Sequence, residues 1–390
     1  MRHWSSACSL SPRSIRQSLP ILLSFLIVTF SGCEEVPSTP APPPPSGSAV
    51  ASQTPAANVN TITGTAPAQP VPGANLEDPQ AVISKFMNTP TNDRKDNDVL
   101  RLCSLSSGTE SVTNLDLNSS PVTDAGLKDL AKLVNLETVN FANTHISEVG
   151  IAVTTTLPKL RNLNLTKCTI TPGVLETLVK LESLEELTLE RTNASDSTLA
   201  AIENLGNLKS LNLTGTQISD NGFKHINKMK SLEVLKISNT GLTGQGMNFL
   251  KRKKGDTGLR ILDAQHSQFG LAGLQFLKGV ETLEELDLAQ AEVTDRALVG
   301  LRGNSHLKKL NLGFNQVTDQ GLTVLSTVKG LEKLYLRNNA MVGDFTLKNL
   351  AKSKELIFLD INGTSSTVNG VMSLKKLLPN CEILFMGTTY

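Results

Sequence analysis

Leu307–Val317 reads LKKLNLGFNQV, a segment in which leucines alternate with polar residues. That period of two is typical of a β-strand with one buried face. In the residues that follow, Leu322, Leu325 and Val328 recur every three positions, as on one face of a short helix. The segment therefore predicts a strand followed by a helix.

The same pattern recurs along most of the chain as a unit of 24 residues, LxxLxLxxTxITDxGLxxLxxLxx. One interval is lengthened to 27 residues and another to 25, and a partial unit follows at 381–386. A single unit cannot bury its apolar edge, so stability requires stacking of successive units. The first positions of the eleven units are Val112, Leu136, Leu160, Leu184, Leu208, Leu232, Leu259, Leu283, Leu307, Leu331 and Leu356.

The repeat resembles the leucine-rich repeat family over about 270 residues. Asn315 holds the position that is usually Asn in that family, whereas other units place Thr or Cys there, at Thr144, Cys168, Thr192, Thr216 and Thr240. This variant looks like the ribonuclease-inhibitor-like, cysteine-containing branch and its bacterial relatives. The resemblance implies an α/β solenoid shaped as a horseshoe, with a parallel concave sheet and convex helices. It also implies protein–protein recognition through the concave surface and no catalysis.

A Ser or Thr followed by an acid precedes many of the expected helices. The hydroxyl predicts an N-cap, and the carboxylate is favourable at the positive end of the helix dipole. These repeated carboxylates therefore indicate helix capping and not acid–base chemistry. The pairs are Thr123-Asp124, Ser195-Asp196, Ser219-Asp220, Thr294-Asp295 and Thr318-Asp319.

The first 76 residues of the chain have a different composition. Residues 1–32 predict a signal peptide, because an Arg-containing start precedes a twelve-residue apolar stretch that would span only about 18 Å as a helix. Phe30-Ser31-Gly32-Cys33 resembles a bacterial lipobox, which predicts lipidation of Cys33 and an anchor in the cell envelope. Ordinary cleavage nearby, giving a secreted or periplasmic soluble chain, is the alternative. Residues 33–76 hold ten of the 18 prolines and predict a disordered tether.

The remaining residues divide into an N-terminal cap at 77–111 and the repeat array with its C-terminal cap at 112–390. From residue 77 onward the chain carries 34 basic and 34 acidic residues. This balance argues against a nucleic-acid partner, which requires a basic face.

Motifs for chemistry are missing from the sequence. Apart from His3 in the predicted signal peptide, the histidines lie in separate repeats, and neither a zinc-protease motif nor a phosphate loop nor a nucleophile elbow occurs. The sequence thus predicts no enzyme, no cofactor and no small-molecule substrate. Asp263 and Asp287 occupy equivalent positions on adjacent strands, where they could hold a metal ion, although a polar solvated face explains them as well.

A partner-binding surface is predicted near the C-terminal end of the concave face. Phe314, Tyr335 and Phe358 fall at late, middle and early strand positions in three successive units, which would place them on one diagonal. Lys309, Lys333 and Arg337 flank them. Exposed aromatics with Arg have the composition of an interface anchor.

These observations predict a lipid-anchored envelope protein whose horseshoe binds another protein. Two alternatives belong to other classes. One is a structural or adhesive spacer, in which the rims make the contacts. The other is an adaptor of the F-box ubiquitin-ligase type, against which the export signal argues.

Overall fold

A short β-strand begins two residues after the first apolar position of each repeat unit. The computed structural model describes residues 78–250, 258–277, 280 and 282–390. Its strands are β1 Asn114–Asp116, β2 Thr138–Asn140, β3 Asn162–Asn164, β4 Glu186–Thr188, β5 Ser210–Asn212, β6 Val234–Lys236, β7 Ile261–Asp263, β8 Glu285–Asp287, β9 Lys309–Asn311, β10 Lys333–Tyr335, β11 Phe358–Asp360, β12 Glu382–Phe385 and β13 Thr388–Thr389.

All thirteen strands belong to one sheet in chain order. β1 to β12 are parallel neighbours, and equivalent residues of successive units pair directly, as Leu115 does with Val139. β13 departs from this pattern because it pairs antiparallel with β12. The predicted leucine-rich repeat solenoid with a parallel sheet is therefore confirmed.

The core lies behind the sheet and continues without interruption along the stack. Each three-residue strand turns its middle residue inward, and these residues are almost completely buried, as Leu187 and Leu310 are. The apolar residues from Ile83 to Phe385 form a single hydrophobic cluster. Stacking therefore buries an edge that no unit could bury alone.

Helices follow most strands and form the second layer. The α-helices are α1 Pro79–Asn88, α2 Asp96–Cys103, α3 Asp124–Leu127, α4 Glu148–Ala152, α5 Pro172–Leu178, α6 Asp196–Ile202, α7 Phe223–Ile226, α8 Gly273–Phe276, α9 Asp295–Leu298, α10 Asp344–Leu350 and α11 Val368–Leu377. Two units instead carry 3₁₀ helices, Gln245–Phe249 and Gly321–Thr327. The second fits the three-residue spacing of its apolar positions, because a 3₁₀ helix has three residues per turn.

The acids at the helix starts do more than the predicted capping. In several units the carboxylate reaches the next unit, where it accepts hydrogen bonds from the backbone N–H and the hydroxyl of the next capping residue. Asp196 does so with Ser219, at 2.8 Å from the backbone nitrogen and 2.6 Å from Oγ. We call this arrangement the inter-repeat clamp. It also joins Asp96 to Thr123, Asp124 to Ser147, Asp220 to Thr243, Asp295 to Thr318 and Asp344 to Thr367.

The clamp explains the glycine that follows the acid two residues later in the repeat motif. A methyl group at Gly222 would lie 2.7 Å from Oδ1 of Asp196 in the preceding unit. At Gly370 the corresponding distance to Oδ1 of Asp344 would be 2.1 Å. Glycine at these two positions leaves room for the carboxylate of the neighbouring unit.

A left-handed residue marks the turn after the strands. Its N–H donates to a carbonyl of the next unit, so the hydrogen-bond ladder continues past the strand end. Most side chains in this row are small or polar, but Phe314 is a bulky aromatic at φ 59°. The row comprises Ser119, Asn143, Lys167, Arg191, Gly215, Asn239, His266, Gln290, Phe314, Asn338 and Gly363.

The predicted signal peptide, Cys33 and the tether lie outside the described residues. Within the described ranges no helix has both the length and the apolar character needed to cross a bilayer.

Candidate functional site

Three adjacent strands, β9 to β11, bring together most of the side chains that the sequence singled out. Lys309, Lys333 and Phe358 are direct neighbours across these strands and form one row. Two residues later in each strand, Asn311, Tyr335 and Asp360 form a second row. The middle residues of the strands are buried, so both rows lie on the face opposite the core. Tyr335 therefore lies at the centre of a small grid of side chains.

Tyr335 and Phe358 form an aromatic pair within this grid. Their ring centroids are 5.1 Å apart and the ring planes are inclined by 40°. Both side chains are half-buried. A tilted pair of this kind presents a rigid apolar surface that loses little conformational entropy on binding.

The cations of the grid fall into two kinds. Lys309 is partly buried and pairs with Glu285 at 3.1 Å. Lys333 and Arg337 are exposed, and neither has an ion-pair partner among the described residues. Lys333, Tyr335, Arg337 and Phe358 are together called the β10 patch below.

Phe314 makes no ring contact with the aromatic pair among the described residues. β9 ends at Asn311, and the left-handed turn carries Phe314 beyond the strand. There it lines a groove with exposed His266, Gln290 and Gln316, and it remains 52% exposed. The diagonal through Phe314, Tyr335 and Phe358 stays a prediction.

Asp263 and Asp287 are direct neighbours on β7 and β8, as their spacing predicted. Their carboxylates already have partners in the chain. Oδ1 of Asp287 accepts from the backbone of Ala289 at 3.1 Å, and Oδ2 accepts from Asn311 at 3.0 Å. Oδ1 of Asp263 accepts from Ser238. Among the described residues there is no group of three or more metal-ligating side chains.

Burial raises the pKa of the Asp287 carboxyl, and the charge of Asp263 acts in the same direction, although hydrogen bonds from Ala289 and Asn311 oppose it. The same strand position closes a turn in other units as well. The Asn140, Asn164 and Asn212 side chains each accept from the backbone N–H two residues later. A side-chain oxygen at this position closes the turn, which accounts for Asn and Asp there and gives the pair Asp263 and Asp287 a structural explanation.

A row of alternating charge precedes the strands, and the sequence interpretation missed it. It lies one residue before each strand from β2 to β10, and acid and base alternate along it without exception. Arg260, for example, bonds to Glu284 at 2.8 Å and contacts Glu233 at 3.5 Å. A comparison of the residues at this position in successive repeat units of the sequence would have revealed the alternating charges. The row comprises Glu137, Arg161, Glu185, Lys209, Glu233, Arg260, Glu284, Lys308 and Glu332.

Glu284 makes the stability of this row depend on pH. Hydrogen bonds from Arg260 and Lys308 lower the pKa of its carboxyl from 4.5 to about 2. A carboxyl whose pKa is lowered by folding stabilises the fold above its unfolded pKa and loses that contribution as the pH falls through the folded value. The contribution of Glu284 should thus be complete above pH 4.5 and vanish near pH 2.

We expect Glu284→Gln to lower the thermal midpoint slightly at neutral pH, since exposed ion pairs contribute little. The difference from the unmodified chain should disappear towards pH 2 and shrink at high salt. Thermal melts followed by circular dichroism across this range test the expectation. Glu355→Gln is the control, because no ion pair involves Glu355 within the described part of the chain. Parallel pH profiles for the two variants would contradict the prediction.

Comparison with known proteins agrees with the fold. The family model described as "Leucine Rich repeat" matches residues 207–225 and 303–326. An internalin from Listeria monocytogenes is similar in structure, with a TM-score of 0.55 and 19% identity over 80% of this chain and 95% of the internalin. No curated protein sequence matches the chain. The repeats, the sheet and the similarity to the internalin together show the fold of a leucine-rich repeat solenoid.

A plant peptide hormone receptor, RGFR1 in complex with RGF2, also matches, with a TM-score of 0.42 and 17% identity. That match covers 70% of this chain and 47% of the receptor chain.

Proposed function

We propose that this leucine-rich repeat solenoid is a non-enzymatic interaction module that binds a protein partner through the β10 patch. The observation that carries the proposal is the exposed pair of cations beside the Tyr335–Phe358 aromatic pair. Tyrosine and arginine dominate the energetics of protein interfaces. No ion pair within the described residues occupies Lys333 or Arg337, so both remain available to a partner.

The contrast with the first strands supports a localised site. At the last strand position, β1 to β5 carry Asp116, Asn140, Asn164, Thr188 and Asn212, none of which is aromatic or cationic. Asn140 donates to Asp116, and its own Oδ1 accepts from the backbone of Ala142. The side chains of Asn140 and Asp116 are thus engaged within the solenoid, whereas the β10 patch leaves its charged groups open to solvent.

We further propose that the module is exported and tethered to the bacterial cell envelope. The support is in the sequence: a signal-like segment at 1–32, the lipobox-like residues before Cys33, and a proline-rich stretch at 33–76. The Thr and Cys residues at the Asn position, with the ITDxGL motif, support the ribonuclease-inhibitor-like branch. In this proposal a lipid on Cys33 is the anchor, and residues 33–76 are the tether between the anchor and the repeat array.

One experiment on the full chain in bacterial cells tests both parts of the proposal. A photo-crosslinking residue is placed at position 335 or, as the matched control, at position 188, the same strand position on β4. We expect a discrete protein adduct at 335 and none at 188. Arg337→Ala should reduce the adduct about fivefold or more, which corresponds to a loss of about 1 kcal/mol.

The intact mass of the membrane-extracted chain is measured in the same preparation. We expect a mature chain that begins at Cys33 and carries acyl mass, and a Cys33→Ser variant that is released from the membrane. An unmodified chain in the soluble fraction would contradict the anchor. Equal crosslinking at 335 and 188, or a yield that Arg337→Ala does not change, would contradict the binding site and favour a spacer whose rims make the contacts.

A further inference from the structure

We infer that the partner presents to the β10 patch an extended acidic segment with an apolar side chain between two carboxylates. The inference rests on the proposed function and adds the chemistry of the partner. It follows from the charge of the patch and from the spacing of its cations.

The exposed charges of the grid on β9 to β11 are positive. Lys309 is paired with Glu285 of β8. Asp360 is 7% exposed, and its Oδ1 accepts from both the backbone and the side chain of Asn362. Lys333 and Arg337 therefore remain as two exposed positive charges beside an apolar surface, without an ion-pair partner among the described residues. Complementary charge on the partner would be negative.

The spacing of these charges matches an extended chain. Burial alternates from Lys333 to Arg337, so Lys333, Tyr335 and Arg337 lie on one face. The ladder continues through Arg337, whose carbonyl accepts from Phe314 at 2.7 Å. Four strand residues span about 13 Å, the distance between side chains four apart in another extended chain. Acids at the first and fifth positions of such a segment would meet the two cations, and the third side chain would cover the rings.

Arg337 is exposed on the face that also carries Lys333 and Tyr335. Arginine binds carboxylates through two parallel hydrogen bonds when both oxygens can reach it. A compact anion would meet one cation only, whereas an extended segment with two acids can meet both.

Binding of labelled peptides to the full chain, followed by fluorescence anisotropy, tests the inference. The probe is Gly-Glu-Thr-Phe-Thr-Glu-Gly, and the matched peptide Gly-Thr-Glu-Phe-Glu-Thr-Gly has the same composition with closer acids. We expect at least tenfold tighter binding of the first peptide. The double variant Lys333→Glu/Arg337→Glu should lose that binding and should instead bind Gly-Lys-Thr-Phe-Thr-Lys-Gly. Lys348→Glu/Lys352→Glu, with the same change of net charge away from the sheet, should bind like the unmodified chain.

Three results would overturn the inference. One is equal binding of the two acidic peptides, and another is equal loss in the two double variants, because both indicate unspecific attraction. The third is tighter binding of inorganic phosphate or of an oligonucleotide than of the probe at the same residues. If the peptides fail while the crosslink at 335 persists, the proposed interaction site stands and only the partner chemistry is wrong. A crosslink to a second copy of the chain would instead identify a self-interface and overturn the acidic segment.

Discussion

Replacing Asn315 by Ala is expected to lower the free energy of unfolding by about 4 kcal/mol, because its buried amide joins two repeat units. Oδ1 accepts from the backbone of Ala291 and Val293, at 3.1 and 2.9 Å. Nδ2 donates to the carbonyls of Leu288, Leu312 and Gly313 at 2.8 to 3.1 Å. Alanine would leave two buried N–H groups without a partner, at a cost of about 1–3 kcal/mol each.

Thr192→Ala is the matched control at the same position of the repeat. The Thr192 hydroxyl donates to the carbonyl of Leu189 at 2.7 Å and accepts from Ala194 at 3.3 Å, both within its own unit. We expect a loss of about 1 kcal/mol there, which is typical of a single hydrogen bond. Urea denaturation followed by circular dichroism measures both variants. Similar losses would show that the bonds of Asn315 to the preceding unit contribute nothing.

Asn315→Thr separates the two kinds of contact. A hydroxyl at this position can bond within the unit, as Thr144 does with the carbonyl of Phe141 at 2.7 Å, but it lacks the second polar group of the amide. The stability of this variant should fall between those of Asn315→Ala and the unmodified chain. The result would explain why both residue types occur at this position of the repeat.

The sequence predicted the solenoid because its evidence is local and is repeated many times. Alternation in the strands, the three-residue period of the helical segments and the capping hydroxyls each concern neighbouring residues. Features that depend on residues 24 apart were missed or explained in part. The dipole argument accounts for Asp196 at the start of α6, yet its hydrogen bonds to Ser219 exist only in the stack.

The candidate site was predictable to a smaller extent. Register alone placed Tyr335 beside Phe358, because both lie within strands and the unit length fixes their offset. The turn at Phe314 was not predictable, since its left-handed backbone conformation is rare for an aromatic residue. The sequence also did not reveal that Lys309 has an ion-pair partner whereas Lys333 has none among the described residues, because the pairing of Lys309 with Glu285 depends on adjacent strands.

Gly321→Ala is expected to destabilise the chain by about 3 kcal/mol, although alanine favours helices more than glycine by up to about 1 kcal/mol. The added methyl group would lie 2.1 Å from Oδ1 of Asp295 and 2.4 Å from its Cγ. That carboxylate holds the backbone and hydroxyl of Thr318 at 2.8 and 2.6 Å. Overpacking costs about 1–3 kcal/mol, and displacement of the carboxylate adds the loss of a charged hydrogen bond.

A double-mutant cycle shows whether this cost arises from the inter-repeat clamp. In the Asp295→Ala background Oδ1 and Cγ are gone and only Cβ remains, at 2.7 Å from the methyl group, so Gly321→Ala should cost clearly less, and the coupling between the two substitutions should reach about 2 kcal/mol. Gly241→Ala is the control, because nothing lies within 4 Å of a methyl group at that position. If Gly321→Ala costs the same in both backgrounds, the glycine serves the helix backbone and not the clamp. If the coupling appears, the acid of one unit and the glycine of the next must change together, because the two residues share one contact across the repeat boundary.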